Sequence, residues 1–424
     1  MLDRTTPPIV QDVPFTFRKP ERQILRNGIP LCVIEADGHE VVRVDFVFSV
    51  GQWHQEQKLQ ALFTCRMLRE GCQGYSSSVF ASKLDYYGAW LELSVAMNRT
   101  FVTLYTLKKF FTQTIDLVRQ MLFKPAFSDD RLQVIRANNK AQFMVNMQKG
   151  DVLAMRALRS NVYGEKHPCG MCAEMEDYDA LNSSLLRSFY ERYYGSRNCT
   201  IYLSGSIDDA VISYVDSLFG GVVWGAITSV EEKWYPLMSA DEKTSVVLHP
   251  ESVQSSIRMG SLLMDVGDAD YLPMRVLNTV LGGYFGSRLM KNIREEKGYT
   301  YHIGSDLITN TSQVLFMVGC EALVDKAEEV VDEVRREMLR LQTQLISDAE
   351  LRMVRNYMIG EICRNYEGAF SLTDAYIFME YLGLPQTHIE DTVDAIRATD
   401  AVRLQQLAQQ YFHPESLYTV VVRP

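Results

Sequence analysis

The sequence predicts an α+β fold built from two similar halves, and three observations predict it. Apolar positions switch repeatedly between a two-residue period, which suits strands, and a period near 3.6, which suits helices. The elements so marked run strands, two helices, two strands, a series of helices and a closing strand, and the same order then begins again. Between the two runs, residues 220–243 hold neither period and mix glycine with charge, as a linker does. The expected divisions are an N-terminal domain over 1–219, a linker over 220–243 and a C-terminal domain over 244–424. A chain of 424 residues exceeds one ordinary domain, which agrees with that division.

Taken in order, residues 1–20 carry Pro7, Pro8, Pro14 and Pro20 and suit an extended arm lying on the body. Asn27-Gly28, a tight-turn pair between two apolar runs, predicts a hairpin over 21–35. The alternation in VVRVDFVFSV predicts a strand over 41–50 with one buried face, stopped by Gly51. A helix over 57–70 follows, with Leu59, Leu62, Phe63 and Met67 on adjoining faces. The next helix, over 76–88, opens on serines and closes on glycine. Strands over 90–97 and 100–107 turn at Asn98-Arg99. Helices are expected over 108–122, 129–148, 152–162, 183–194 and 208–219, with a strand over 200–204. In the second half, strands over 245–248 and 253–263 precede helices over 271–281 and 287–297. Strands over 300–307 and 313–320 follow, then helices over 324–345, 348–366, 370–382 and 399–409, and a last strand over 416–422.

The formal charge of −10 argues against a nucleic-acid surface and mildly for cationic partners such as basic peptides. Eight cysteines at irregular spacing, behind an N-terminus with no basic segment and apolar core, read as reduced thiols of a cytoplasmic protein. No apolar run approaches the roughly 20 residues of a membrane helix. The expectation is a soluble chain that contacts neither nucleic acid nor membrane.

The most informative stretch is 281–305, LGGYFGSRLMKNIREEKGYTYHIGS. Gly282, Gly283 and Gly286 allow a tight turn or a close approach of backbones. A helical pattern follows, Gly298 suits its C-terminal cap, and a strand begins near Tyr299. Arg294 offers planar donors and Tyr301 a phenolic hydroxyl, a plausible grip on a peptide carbonyl if both face one cleft. Taken by spacing alone, Arg294 reads more simply as a solvated helix end and Tyr301 as an ordinary strand residue.

Gly-Gly, Ser-Arg-Leu and Ile-Arg-Glu-x-x-Gly-x-x-Tyr together resemble the C-terminal signature of the pitrilysin/insulinase metallopeptidases, a group that includes the mitochondrial processing peptidases. The pattern Tyr163-Gly164, His167-Pro168, Tyr193 and Asn198 adds to it, so the resemblance spans nearly the whole chain. It implies two similar α/β domains, each an antiparallel-rich sheet flanked by helices, joined by a linker in a clamshell. It also implies that Arg294 and Tyr301 bind the substrate backbone near the scissile bond.

In that family zinc is held by H-x-x-E-H on a helix after the early strand, with a further glutamate on a later helix. The two histidines share a face and the glutamate between them acts as general base. The matching helix here is 57–70, and Leu62, Cys65 and Arg66 stand where the first histidine, the glutamate and the second histidine belong. No acidic residue occurs between Asp130 and Asp151, so the distal glutamate is missing as well. No metal is therefore expected in this chain, and zinc is expected in a partner.

Other candidates read as incidental. His54-Gln55-Glu56 has the wrong spacing for a helical ligand pair and suits a solvated loop. Cys169 and Cys172 form a C-x-x-C without the second pair that a structural zinc needs. Cys65 and Cys72 read as core thiols, with no histidine near enough in sequence to make a nucleophile. The GGYFG run lacks the acidic residue of a dinucleotide fingerprint.

The resemblance thus points to a non-catalytic, substrate-binding subunit of a zinc-dependent peptidase. It would be inactive alone and supply Arg294 and Tyr301 to a cleft completed by a zinc-motif-bearing homologue, as a heterodimer, or else self-associate as a homodimer. The alternatives are a structural or peptide-binding protein of the same family with no role in catalysis, and an independent enzyme of replaced chemistry, using Cys65 as nucleophile or a new metal site.

Overall fold

In the computed structural model the described residues are 17–36, 38, 40–225, 230 and 233–424. The expected arm over 1–20 lies outside them but for its last four residues, as do residues 226–229, 231 and 232 of the expected linker. The described part of that stretch runs without helix or strand against the first half. The Trp53 indole donates to the Lys233 carbonyl at 2.7 Å, and the Tyr235 hydroxyl donates to the Trp53 carbonyl at 3.1 Å.

The first half opens with the hairpin β1 (Glu21–Ile24) and β2 (Pro30–Glu35), in register from Glu21 opposite Val33 to Ile24 opposite Pro30. Strand β3 (Val41–Phe48) leads to helix α1 (Gln60–Leu68), a short ribbon β4 (Gly71–Cys72) and β5 (Tyr75–Ser76), and helix α2 (Ser77–Tyr86). The Ser76 hydroxyl caps α2 by accepting from the Val79 N–H. Strands β6 (Trp90–Val95) and β7 (Thr100–Leu107) follow, then α3 (Phe111–Phe123), α4 (Asp129–Asn146), α5 (Gly150–Tyr163), α6 (Met175–Asp179) and α7 (Ser183–Tyr193). Strand β8 (Cys199–Gly205) and helix α8 (Asp209–Phe219) close the half.

The second half has strands β9 (Thr244–Leu248) and β10 (Ser255–Asp265), helix α9 (Tyr271–Leu281), a π-helix (Met290–Glu296), and strands β11 (Thr300–Ile308) and β12 (Gln313–Ala322). Helices α10 (Ala327–Thr343), α11 (Asp348–Asn365), α12 (Ala369–Tyr381), α13 (His388–Ala398) and α14 (Ala401–Tyr411) lead to β13 (Tyr418–Arg423).

The sheets repeat one topology. The first runs β1-β2-β8-β3-β7-β6 and the second, read from its other edge, β9-β13-β10-β12-β11. In each, the early strand pairs in parallel with the closing strand, and every other pairing is antiparallel. This is an antiparallel-rich α+β architecture flanked by helices. Among the described residues no helix is long and apolar enough to cross a membrane.

Strand β3 departs from its expected pattern, because it is buried on both faces rather than one. The reason is an exchange of helices. Ile377 of α12, from the second half, packs on Cys32, Val47 and Tyr202 of the first sheet. Reciprocally, Ala154, Leu158 and Val162 of α5 pack on Leu315, Met317, Tyr418 and Val420 of the second sheet. Each sheet thus buries one face under its own helices and part of the other under a helix lent by the opposite half, which is how an apolar sheet face escapes water.

Candidate functional site

The expected helix over 287–297 is a π-helix over Met290–Glu296, in which the Lys297 N–H reaches the Asn292 carbonyl, five residues back, at 3.1 Å. Turns of this kind recur at functional sites. A buried polar side chain anchors this one. The Asn292 amide donates to Glu333 at 3.1 Å and Glu337 at 2.6 Å on α10, and its oxygen accepts from Lys297 Nζ at 2.6 Å. Gly298, at φ +67°, ends the helix in a conformation that costs other residues a Cβ clash, and β11 follows at once. Ahead of the helix, a Cβ on Gly282 would stand 2.6 Å from the Ser305 backbone nitrogen, so the glycine turn does lie close against β11.

This geometry brings Arg294 and Tyr301 together. The Arg294 guanidinium carbon sits 5.5 Å from the centre of the Tyr301 ring and 4.5 Å from that of Phe285. Tyr301 is 84% exposed and Phe285 65% exposed. No carboxylate pairs with Arg294 among the described residues, so the cation is held chiefly by two ring faces. Phe285 was missed from the sequence, and the only signal for it was its place in the glycine-rich run.

The helix carrying the expected zinc positions starts under strain. Leu59, its N-cap, has φ +68°, a region that a γ-branched residue rarely occupies. Leu62 is half-buried against the core of the first half. Cys65 is fully buried, and burial pushes its thiol up to about 12, so it stays protonated and unreactive. Arg66 is half-buried, and burial lowers its pKa from the ordinary arginine value. Across from it, α4 presents the amide side chains of Asn138, Asn139 and Gln142. A leucine, a neutral thiol and a guanidinium facing carboxamides do not fit zinc, which takes three or four anionic or imidazole donors. Among the described residues no group of three or more His, Cys, Asp or Glu side chains is arranged to hold a metal ion.

His54 corrects another expectation, because it is buried rather than solvated. Its Nδ1 accepts from the Gly51 N–H at 3.2 Å, and its ring lies beside Tyr193. Burial, helped by the charge of Lys233, pulls its pKa down to about 4. Glu56 points away and pairs with Arg192. In the C-x-x-C, Cys169 is buried with its thiol raised to about 11, and the Cys172 thiol contacts the Arg156 and Gly170 carbonyls.

Comparison with known proteins agrees with this picture. The profile of the Peptidase M16 inactive domain matches residues 180–358. A structure of a peptidase M16 inactive domain from Pseudomonas fluorescens superposes with a TM-score of 0.84 over 96% of this chain and 98% of that one, at 20% identity. Residues 180–358 thus match the M16 peptidase family, through its inactive domain. A Helicobacter pylori protease structure gives a TM-score of 0.87 at 15% identity, covering 96% of this chain and all of that one. In sequence, the uncharacterized zinc protease YmxG of Bacillus subtilis is 20% identical over 397 residues, 92% of this chain and 95% of that protein. The H. pylori protein named a non-peptidase homolog is 22% identical over 328 residues, 76% of this chain and 74% of its own. With its zinc positions filled as described, the chain resembles the inactive domain and the non-peptidase homolog of that family.

Proposed function

We propose that this chain is the non-catalytic, substrate-binding subunit of a zinc-dependent peptidase, with zinc carried by a homologous partner chain. The observation that carries the reading is the cluster of Arg294, Tyr301 and Phe285. Two large aromatic side chains left in water with a guanidinium between them bury little apolar area for the fold, and such surface groups are typical anchors for a bound chain. The guanidinium supplies planar donors and Tyr301 a hydroxyl, which suit a peptide carbonyl as it gains charge in the partner's active site. Both sit on the edge strand β11 or the helix leading into it, so the scaffold that presents them is rigid. The free edge strand β6, whose Trp90 is 67% exposed, offers main-chain hydrogen bonds to an extended peptide in the other half.

The test is peptide hydrolysis by the purified chain alone and mixed with a zinc-motif homologue. Activity only in the mixture, lost in Arg294→Ala or Tyr301→Phe, is the expected result. A mixture in which both variants match the wild type would leave only a structural or peptide-binding role without part in catalysis.

A further inference from the structure

Arg66 at the family's second histidine position, and the exposed Arg69 one turn further on, have no ion-pair partner among the described residues. A hollow of about 350 Å³ lies between α1 and α4, lined by Arg66, Arg69, Arg131 and the carboxylate of Glu70 together with Asn138, Asn139 and Gln142. Arg131 is already satisfied, since its Nε and Nη2 reach the Glu70 carboxylate at 2.9 and 2.5 Å. Arg66 and Arg69 have no carboxylate partner among the described residues. Nor does the Asn138 amide make a hydrogen bond among them.

A half-buried guanidinium without a counter-charge is costly, and structures normally supply an acid or leave the group in water. Here the acid that the family would place on α4 is replaced by carboxamides. Asn139 and Gln142 each spend one amide N–H on α4 itself, at the Ile135 carbonyl and Asn146 Oδ1, and keep the other for an anion, with which a carboxamide does not compete for the arginines. We infer that this hollow is an oxyanion site, and that the zinc position has been converted from a cation receptor into a carboxylate or phosphate receptor. Two guanidinium groups with an amide N–H at hand match the planar, multidentate recognition of such anions. A second hollow, lined by Ser77 and Phe80 together with Trp90 and Leu91 of edge strand β6, shares Arg69 and Glu70 with the first. A short peptide lying there brings its C-terminal carboxylate, or an acidic side chain, to Arg66. The peptide source rests on the peptide-binding reading above, whereas the oxyanion site does not.

The experiment uses the full chain and three probes: a short fluorescent peptide with a free C-terminal carboxylate, the same peptide amidated, and inorganic phosphate. Arg66→Gln and Arg69→Gln are the variants, the second being at an exposed position that folding tolerates. If the peptide is the ligand, the variants weaken the free acid by about tenfold or more while the amidated peptide binds all forms alike, as expected for losing a charge-assisted hydrogen bond. If a free anion is the ligand, phosphate raises the melting temperature of the wild type and not of the variants, and no peptide binds; that supports the oxyanion site and overturns the peptide-binding reading. Acid and amide bound equally by wild type and variants, with no phosphate effect, would overturn the oxyanion site and leave peptide binding standing.

Discussion

Arg43 ties the first sheet to the helix lent by the second half, and removing it tests how the two halves are held. Its Nε lies 2.9 Å from Asp45 Oδ2, its Nη2 lies 2.9 Å from Asp45 Oδ1 and 2.5 Å from Asp374 Oδ1, and its Nη1 donates to the Phe370 carbonyl at 3.1 Å. Burial works against the Arg43 charge, and Asp374 and Asp45 outweigh it, holding the guanidinium above its ordinary value. The Asp45 side chain is 1% exposed, so in Arg43→Met its carboxylate keeps only the Thr103 hydroxyl at 2.7 Å. Stranding a buried charge in this way costs about 3–5 kcal/mol. Asp374 is 63% exposed, so Asp374→Asn forfeits only a solvent-screened partner, about 1 kcal/mol or less. The deficit in Arg43→Met should also depend on pH. Burial already holds the Asp45 carboxyl above its usual value beside Arg43, and losing the cation raises it further, so the variant's folded state binds more protons over a wider window above the unfolded pKa. Its stability therefore falls as pH rises through that window, and the shortfall against wild type is small in acid and full at neutral pH. Urea unfolding followed by tryptophan fluorescence reads this out, because all four tryptophans (Trp53, Trp90, Trp224 and Trp234) precede the second sheet. An Arg43→Met loss no larger than that of Asp374→Asn, or one that is flat with pH, would refute the reasoning.

Three further outcomes are expected. His54, drawn down to about 4 from 6.5, takes up its proton first in the unfolded state, so stability falls as pH drops from about 6.5 and levels off near 4, by up to roughly 3 kcal/mol; melting temperatures across that range should flatten in His54→Asn, and parallel profiles would count against a neutral buried imidazole. Arg294→Ala and Tyr301→Phe should each change unfolding free energy by less than about 0.5 kcal/mol, since both act at the surface, and a large loss would make the cluster structural. Arg66→His should retain no zinc on dialysis, because one imidazole beside Leu62 and a buried neutral thiol falls short of the three protein ligands a zinc site needs; stoichiometric metal in that variant would contradict the fit argued here.

Much of this was legible in the sequence where local chemistry decides the outcome. The hairpin at Asn27-Gly28, the Ser76 cap and the helix over Tyr271–Leu281 follow from turn residues, caps and periods read within a few positions. The pairing of Arg294 with Tyr301 was legible as spacing. What sequence could not supply were effects set by distant chain. The two-sided burial of β3 comes from Ile377, more than three hundred residues away, and the burial of His54 from Tyr193 and the chain around Lys233. The π turn escaped notice because its 7 residues are too short a stretch to show a period distinct from that of an α-helix, and the Asn292 anchor beside it depends on Glu333 and Glu337 of α10. Helix α13 escaped too, since Thr387 gives it no side-chain cap and its end runs into the Asp400 cap of α14. Asn138, Asn139 and Gln142 were visible only as missing acids; their position opposite Arg66 required the fold.

The repeat explains why the Arg–Tyr cluster belongs to one half alone. Both halves stop their second helix at a left-handed glycine, Gly88 at φ +62° and Gly298 at φ +67°, and both then start an edge strand with an exposed aromatic, Trp90 and Tyr301. In the first half the preceding helix is α-helical, and its capping N–H, that of Tyr87, bonds back to Asp85 and Leu84. In the second half Asn292 draws the chain onto Glu333 and Glu337 and opens the turn to a five-residue reach. One residue of register on a helix is a rotation of about 100°, enough to move a side chain from one face to another. The Asn292 anchor is therefore what sets Arg294 over Tyr301, while the glycine stop and the edge strand are common property of the fold. A chain that gave up its zinc ligands on α1 could keep this arrangement intact, because the groups that build it lie on the π-helix, β11 and α10 of the other half.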